Sequence, residues 1–377
     1  MTRLLACALS MFGLFFVCTT FADTPAKPTT LRQAADKDHL LIGTAVNIPD
    51  LNDPRRAALI ANQFNCLTPG NEFKPDFLQR VKGQFTFGDA DKLVAFAEAH
   101  NMQIIGHNLC WHNQTPAWMY ANPDGTPLSR EAALANLKTH IDTVVKHFKG
   151  KVIGWDVVNE AISDSPNEYL RNTPARKAIG DDFVEQAFRL AHEADPNVKL
   201  FYNDYNIDIP YKRDHAIRLI QELKARGVRI DGVGIQGHYL LNWPDPKMLD
   251  DAITAYAALG VKVMISEMDI DVLPRQQNTA EITATEKAGL DPYKNGIPPE
   301  ILQQQAKRYG DFFAVMMKHR DVVSRVTIWG VDDGSSWLNN FPTVGRTNYP
   351  LLWDRQFQPK PAFDAVLKQL TSVNAAQ

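Results

Sequence analysis

"KVIGWDVVNEAI", residues 151–162, poses the question that decides the fold. An apolar, β-branched run ends in Asn159-Glu160. A strand that is apolar on both faces, without alternation, belongs in a sheet covered on both sides, and such sheets are parallel. A carboxylate at the end of so dry a strand is costly unless it is paired or its pKa is moved. Glu160 therefore either closes a structural ion pair or stands at the mouth of a site that uses it.

The same pattern recurs outward along the chain. Short apolar runs are "LLIGTAV" (40–46), "FNCLT" (64–68), "QIIGHN" (103–108), "VIGWDVVN" (152–159), "KLFYND" (199–204), "DGVGIQ" (231–236), "KVMISE" (262–267) and "RVTIWG" (325–330). Amphipathic stretches lie between them, among them 129–148, 181–194 and 211–227. Ser129 is the expected N-cap of the first and Gly227 the expected C-cap of the third. Eight strands, each followed by a helical segment, predict an α/β fold, a single (β/α)8 TIM barrel over residues 36–372. A doubly wound open sheet is the alternative, but it usually carries a Gly-rich phosphate turn, and this sequence has none. The longest insertion, 272–300, follows the seventh strand. Long barrel loops lie where function is decided or disorder is tolerated.

The 377 residues are 45% hydrophobic and 22% charged, with a net charge of -3. That leaves no basic field for nucleic acid or an anionic membrane. At the start, Arg3 precedes "LLACALSMFGLFFVC", and a small-residue end follows at Ala22. This predicts a secretory signal peptide over 1–22 and an N-terminal tail over 23–35, with an uncleaved anchor as the alternative. The expected location is secreted or periplasmic, with no membrane contact after cleavage. Cys66 and Cys110 are two buried free thiols or one bridge, and no cysteine cluster has metal-ligand spacing.

In a barrel the C-terminal strand ends carry the chemistry. Here those ends carry Asn71, Glu72 and Lys74; His107, Trp111 and His112; Asn159 and Glu160; Asn203, Asp204 and Tyr205; Gln236 and His238; Glu267 and Asp269; and Trp329. Glu160 and Glu267 end the fourth and seventh strands. They are separated by about three βα units of ~31 residues, which puts them nearly across the mouth. Paired carboxylates so placed suit glycoside hydrolysis. A gap of ~5–5.5 Å makes one a nucleophile and retains configuration, whereas ~6.5–9.5 Å admits a water and inverts it. A dry strand raises the pKa of Glu160, as a general acid needs. Asp269 and His238 are candidate neighbours that keep Glu267 ionised, as a nucleophile needs.

The ordered set "GHNLCWHNQTPAW", "WDVVNEAI", "LFYNDYNI", "GVGIQGHY", "ISEMDI" and "WGVDDGSSW" resembles glycoside hydrolase family 10, the endo-β-1,4-xylanases, from about residue 40 to "PKPAF" at 359–363. The resemblance implies a retaining enzyme with Glu160 as acid/base and Glu267 as nucleophile, no metal or organic cofactor, and xylan or xylo-oligosaccharides as the partner of a monomer. It implies that Lys74, His107, Trp111, Asn159, Gln236, His238, Trp329 and Trp337 surround the sugar at the cleavage point. Asn71 matches a residue holding the next glycone sugar, Tyr205 and Asn206 match the aglycone side, and Asp269 matches a residue behind the nucleophile. Trp155 and Trp353 are expected in the core.

Two departures stand out. "TPGNEFKP" has Gly70 where the family usually has a Glu that holds the distal glycone sugar, so weaker binding there, or room for a decorated sugar, is expected. Asn108 and Cys110 replace a common Thr and Val, which reads as packing variation. Three other readings compete. A cellulase or mannanase on the same barrel differs only in its sugar. A non-catalytic sugar-binding barrel should have lost one carboxylate. A metal hydrolase on His107, His112 and His238 lacks a standard ligand spacing.

Overall fold

The computed structural model describes residues 29–286 and 291–372. The expected signal peptide and the first part of the expected tail lie outside the described residues. Among those described there are nine strands: β1 (Leu41–Val46), β2 (Cys66–Pro69), β3 (Gln103–Cys110), β4 (Val152–Asn159), β5 (Lys199–Asp204), β6 (Gly232–Ile235), β7 (His238–Leu240), β8 (Lys262–Asp271) and β9 (Val323–Ile328). Strands β1 to β6 pair in sequence, β1 also pairs β9, β9 pairs β8, and β8 returns to β6. Every pairing is parallel, so the ring closes on eight strands. This is the expected (β/α)8 barrel.

One expected strand is followed by a short additional one. The run 231–236 forms β6, and then Gly237, at φ +81°, turns the chain. The short β7 follows and lies beside the far end of β8, with His238 opposite Asp269. Only glycine takes that left-handed turn cheaply. The extra pairing carries β8 on to Asp271, past its expected end at Glu267.

Helices fill the connections as the amphipathic periods required. Ser129 accepts a hydrogen bond from the amide of Ala132 at 3.3 Å and opens the helix Arg130–His147. The helix Pro210–Ala225 ends at Gly227, φ +67°, where the amide of Val228 reaches back to the carbonyl of Leu223 at 2.9 Å. The main core lies between the strands and this helical jacket and includes Trp155 and Trp353. A second cluster, Cys66, Ile105, Phe201 and Met264 with Leu41 and Ile153 against it, comes from the starts of six different strands, and so fills the axis of the barrel. Cys66 and Cys110 are free and buried, and burial pushes each thiol up to about 11. No helix among the described residues is long and apolar enough to cross a membrane.

The expected tail over 23–35 needs correcting at its C-terminal end. Leu31–Asp36 is a helix capped by Thr30, which accepts from the amide of Gln33 at 3.1 Å. Leu31, Ala34 and Ala35 are fully buried, and Gln63 accepts the Leu31 amide at 3.1 Å. The segment seals the jacket beside the C-terminal helix Pro361–Ser372. Leu31→Ala should therefore lower the unfolding free energy by about 2–4 kcal/mol in a urea titration, whereas a free tail would give no change.

Candidate active site

Glu160 follows β4 at the rim. Its backbone sits at φ +58°, an unfavourable region for a residue with a side chain, so the surroundings must hold it. The amide donates to the carbonyl of Asn203 at 2.8 Å, and the carbonyl accepts from Nε of Arg171 at 3.1 Å. The carboxylate then points into the mouth. Its Oε2 accepts from the indole N–H of Trp111 at 2.7 Å and its Oε1 from the amide of Gln236 at 2.9 Å. Burial holds its pKa above the ordinary carboxylate value, and the charge of Asp204 adds to that. Attraction from His112 and the two donated hydrogen bonds oppose the rise without cancelling it.

Glu267, on β8, is equally buried and shifts the other way. Burial pulls its pKa up, but the bond from His238, the attraction of His107 and His238, and the Asn203 N–H together hold it below the ordinary value. Asn203 donates to Oε1 at 2.7 Å, and His238 Nε2 stands 3.4 Å from Oε2. The register of β7 on β8 sets His238 beside Asp269, whose Oδ1 takes Nδ1 at 3.0 Å. Burial disfavours an imidazolium there, yet Asp269 and Glu267 outweigh it and raise His238 to about 10. Asp269 also accepts from Trp337 Nε1 at 2.8 Å. On the far side, Asp156 fixes His107 Nδ1 at 2.9 Å.

Lys74, His107, Trp111, Asn159, Gln236, His238, Trp329 and Trp337 all line one pocket with both carboxylates. Trp329 and Trp337 are half-buried, each leaving ring surface on the wall. The amide of Asn159 lies 2.9 Å from that of Asn203, which ties the two carboxylate surroundings together. Asn71 borders the adjoining glycone cavity of about 190 Å³ with Asn47, Gly70, Lys74 and Gln114. There Lys74 Nζ donates to Gln114 at 2.7 Å and to Asn71 at 3.2 Å, and Asn71 donates to Asn47 at 2.8 Å. Burial lowers Lys74 to about 8, against the pull of Glu267, Glu160 and Glu72.

The structure changes three expectations at the rim. Space beside Gly70 is already taken, since a Cβ there would lie 2.7 Å from the amide of Asn47. Glu72 is a structural cap, accepting from the amide of Ile48 at 2.8 Å. Tyr205 is 1% exposed, with its hydroxyl on Asp164 at 2.5 Å and Arg171 at 2.8 Å, so it supports the aglycone side instead of facing it. Asn206 does border a cavity, but its amide is given to the carbonyl of Asn278 at 2.8 Å. Gln114 and Asn47 are site groups that no strand-end position marks, whereas Asn203 stands at a strand end. Nothing in the local sequence marks Glu281 in the 272–300 loop either. Glu281 takes His112 at 2.7 Å, Asn113 at 2.7 Å and Arg171 at 3.0 Å. Among the described residues, His112, Glu160 and Glu281 place donor atoms within 4.8 Å of one another, as a metal would need. The Arg171 guanidinium on Glu281 opposes a cation there.

Against known families, residues 30–369 match Glycosyl hydrolase family 10. The chain belongs to glycosyl hydrolase family 10. Family-10 relatives include a Beta-1,4-xylanase of Dictyoglomus thermophilum, 44% identical over 334 residues, covering 88% of this chain and 89% of the relative. An Endo-1,4-beta-xylanase A of Xylanibacter ruminicola is 41% identical over 366 residues, 96% of this chain and 98% of its own. A solved family-10 endoxylanase retrieved from sugarcane soil metagenome superimposes with a TM-score of 0.84 at 41% identity, over 91% of this chain and all of its own.

Two measurements test this geometry. Asp269→Asn removes the charge that raises His238, and a weaker cation beside Glu267 lets its pKa rise. The acidic limb of the kcat/KM profile on an aryl glycoside should then move to higher pH, and an unmoved limb would break the link from Asp269 to Glu267. At the glycone cavity, Gly70→Glu alone should not raise kcat/KM on short xylo-oligosaccharides, because Asn47 stands in the way. Asn47→Gly with Gly70→Glu should exceed the single variant, since glycine replaces an asparagine N-cap at a cost of only a few tenths of a kcal/mol.

Proposed function

We propose that this chain is an exported, retaining endo-β-1,4-xylanase that cleaves internal bonds of xylan by double displacement. The observation that carries the reading is the opposite pKa shift of two buried carboxylates in the mouth of a family-10 barrel. One is shifted up and the other down, in the sense of the division of labour the chemistry requires. The chain's likeness to xylanases supports xylan as the substrate. The apolar N-terminal stretch after Arg3 supports export.

In the first step Glu267 attacks the anomeric carbon as the glycosidic bond breaks. Glu160 gives its proton to the departing oxygen, and a covalent glycosyl-enzyme forms. In the second step Glu160, now a carboxylate, takes a proton from water. That water attacks the anomeric carbon, the bond to Glu267 breaks, and the configuration returns to β. Asn203 and His238 hold Glu267 in its attacking geometry. Asp269 keeps the imidazolium in place. Trp329 and Trp337 offer ring faces to the apolar side of a pyranose.

Glu267→Ala should abolish xylan turnover. Glu160→Ala should cost about 10²–10⁴-fold on xylan and far less on an activated aryl β-xyloside, whose leaving group needs no proton. Equal losses on both substrates would remove the acid role. Proton NMR of the first-formed product should show the β anomer, and the α anomer would refute retention.

A further inference from the structure

The segment 277–282 of the long loop after β8 does more than connect. It crosses the mouth from the aglycone side, where Asn278 holds Asn206 at 2.8 Å, to the acid/base side, where Glu281 meets His112, Asn113 and Arg171. Its base is braced by Arg275, 4% exposed, which pairs with Asp271 at 3.1 Å and donates to the carbonyl of Thr279 at 2.7 Å. Ala280, between these ties, and Ile282, next after Glu281, both border the catalytic pocket. Ile282 also borders the glycone cavity, where it is 41% exposed and the largest aliphatic side chain in the wall. The catalytic pocket holds about 40 Å³, room for a few waters, against about 190 Å³ in the glycone cavity.

We infer that Glu281 and Ile282 are specificity-determining residues: Glu281 ties this strap across the mouth, and Ile282 restricts the cleavage point to unbranched xylose units. The inference rests on the proposed xylanase activity. A chain running from the glycone cavity to the two carboxylates must pass Ile282, because that side chain borders both spaces. A bare ring needs only the half-free Ile282 side chain to turn aside. A uronic acid or pentose branch on that ring reaches further and has to break the Glu281 tie. That tie resists, since an ionised carboxylate sharing hydrogen bonds with a guanidinium, an amide and an imidazole is held by charge-assisted contacts. Glu281 is held ionised there: burial opposes ionisation, but His112, Asn113 and Arg171 outweigh it and lower its pKa to about 2.

The experiment compares wild type, Ile282→Ala and Glu281→Ala on linear xylotetraose and on a xylo-oligosaccharide with a glucuronosyl branch on an internal xylose. Ile282→Ala shortens a surface side chain and leaves the buried braces intact. The readout is the ratio of kcat/KM on the branched substrate to that on the linear one, which a general loss of stability does not move. Both variants should raise that ratio roughly tenfold or more, the scale on which small apolar groups discriminate substrates. If wild type cleaves the linear substrate and the ratio is unchanged in both variants, the strap inference falls and the xylanase reading stands. If wild type cleaves neither, the xylanase reading falls and takes the strap with it.

Discussion

Burial of Glu160 and Glu267 in one mouth is the constraint that the surrounding structure answers. Two carboxylates removed from water cannot both stay ionised without help. The protein supplies help unequally. Glu267 receives an imidazolium and an amide N–H, and the imidazolium is itself sustained by Asp269. Glu160 receives two neutral N–H donors and, through Asp204, a neighbouring negative charge. The two environments meet at the Asn159 and Asn203 amides, which sit opposite each other in the β4–β5 register. Substituting any of these groups therefore perturbs both carboxylates.

The barrel makes this arrangement possible because closing a parallel sheet brings all strand C-termini to one rim. Behind the rim one buried lysine bridges two carboxylates, the buried Asp204 and the more exposed Asp164. Lys212, fully buried, stands 2.9 Å from Asp204 and 2.9 Å from Asp164, and its ammonium lies 3.7 Å from the centroid of the Tyr205 ring. Tyr205 thus holds the aglycone floor from beneath. The strap closes the same region from above, through Asn278 on Asn206 and Glu281 on Arg171. Arg171 touches the Glu160 carbonyl, the Tyr205 hydroxyl and Glu281, so one guanidinium links Glu160, Tyr205 and the strap.

Much of the fold was legible because parallel strands covered on both faces are apolar along their whole length, and the eight runs fall on the barrel strands within a few residues. The helices were legible from period and caps, as at Ser129 and Gly227. Residues 31–36 were not, since Leu31, Ala34 and Ala35 have helical spacing over little more than one turn, too short a window to separate from the polar stretch before it. The additional strand β7 after Gly237 was not, because a glycine after a strand end signals a turn without saying where the chain rejoins the sheet. At the site, strand-end position singled out the groups that line the pocket. It could not show that Asn47 fills the space beside Gly70, or that Tyr205 faces inward.

The sequence by itself determined the barrel, the rim and the two carboxylates, because these depend on local periodicity and on strand ends at regular spacing. Only the tertiary structure supplied the groups that shift the two carboxylates apart, since Trp111, Asn203, Gln236 and His238 come from four different strand ends to meet them. It alone brought Glu281 from the loop after β8 to His112 and Arg171, which follow β3 and β4. Nothing in a loop's own residues encodes such a contact, because its energy comes from partners that the chain meets only after the ring has closed.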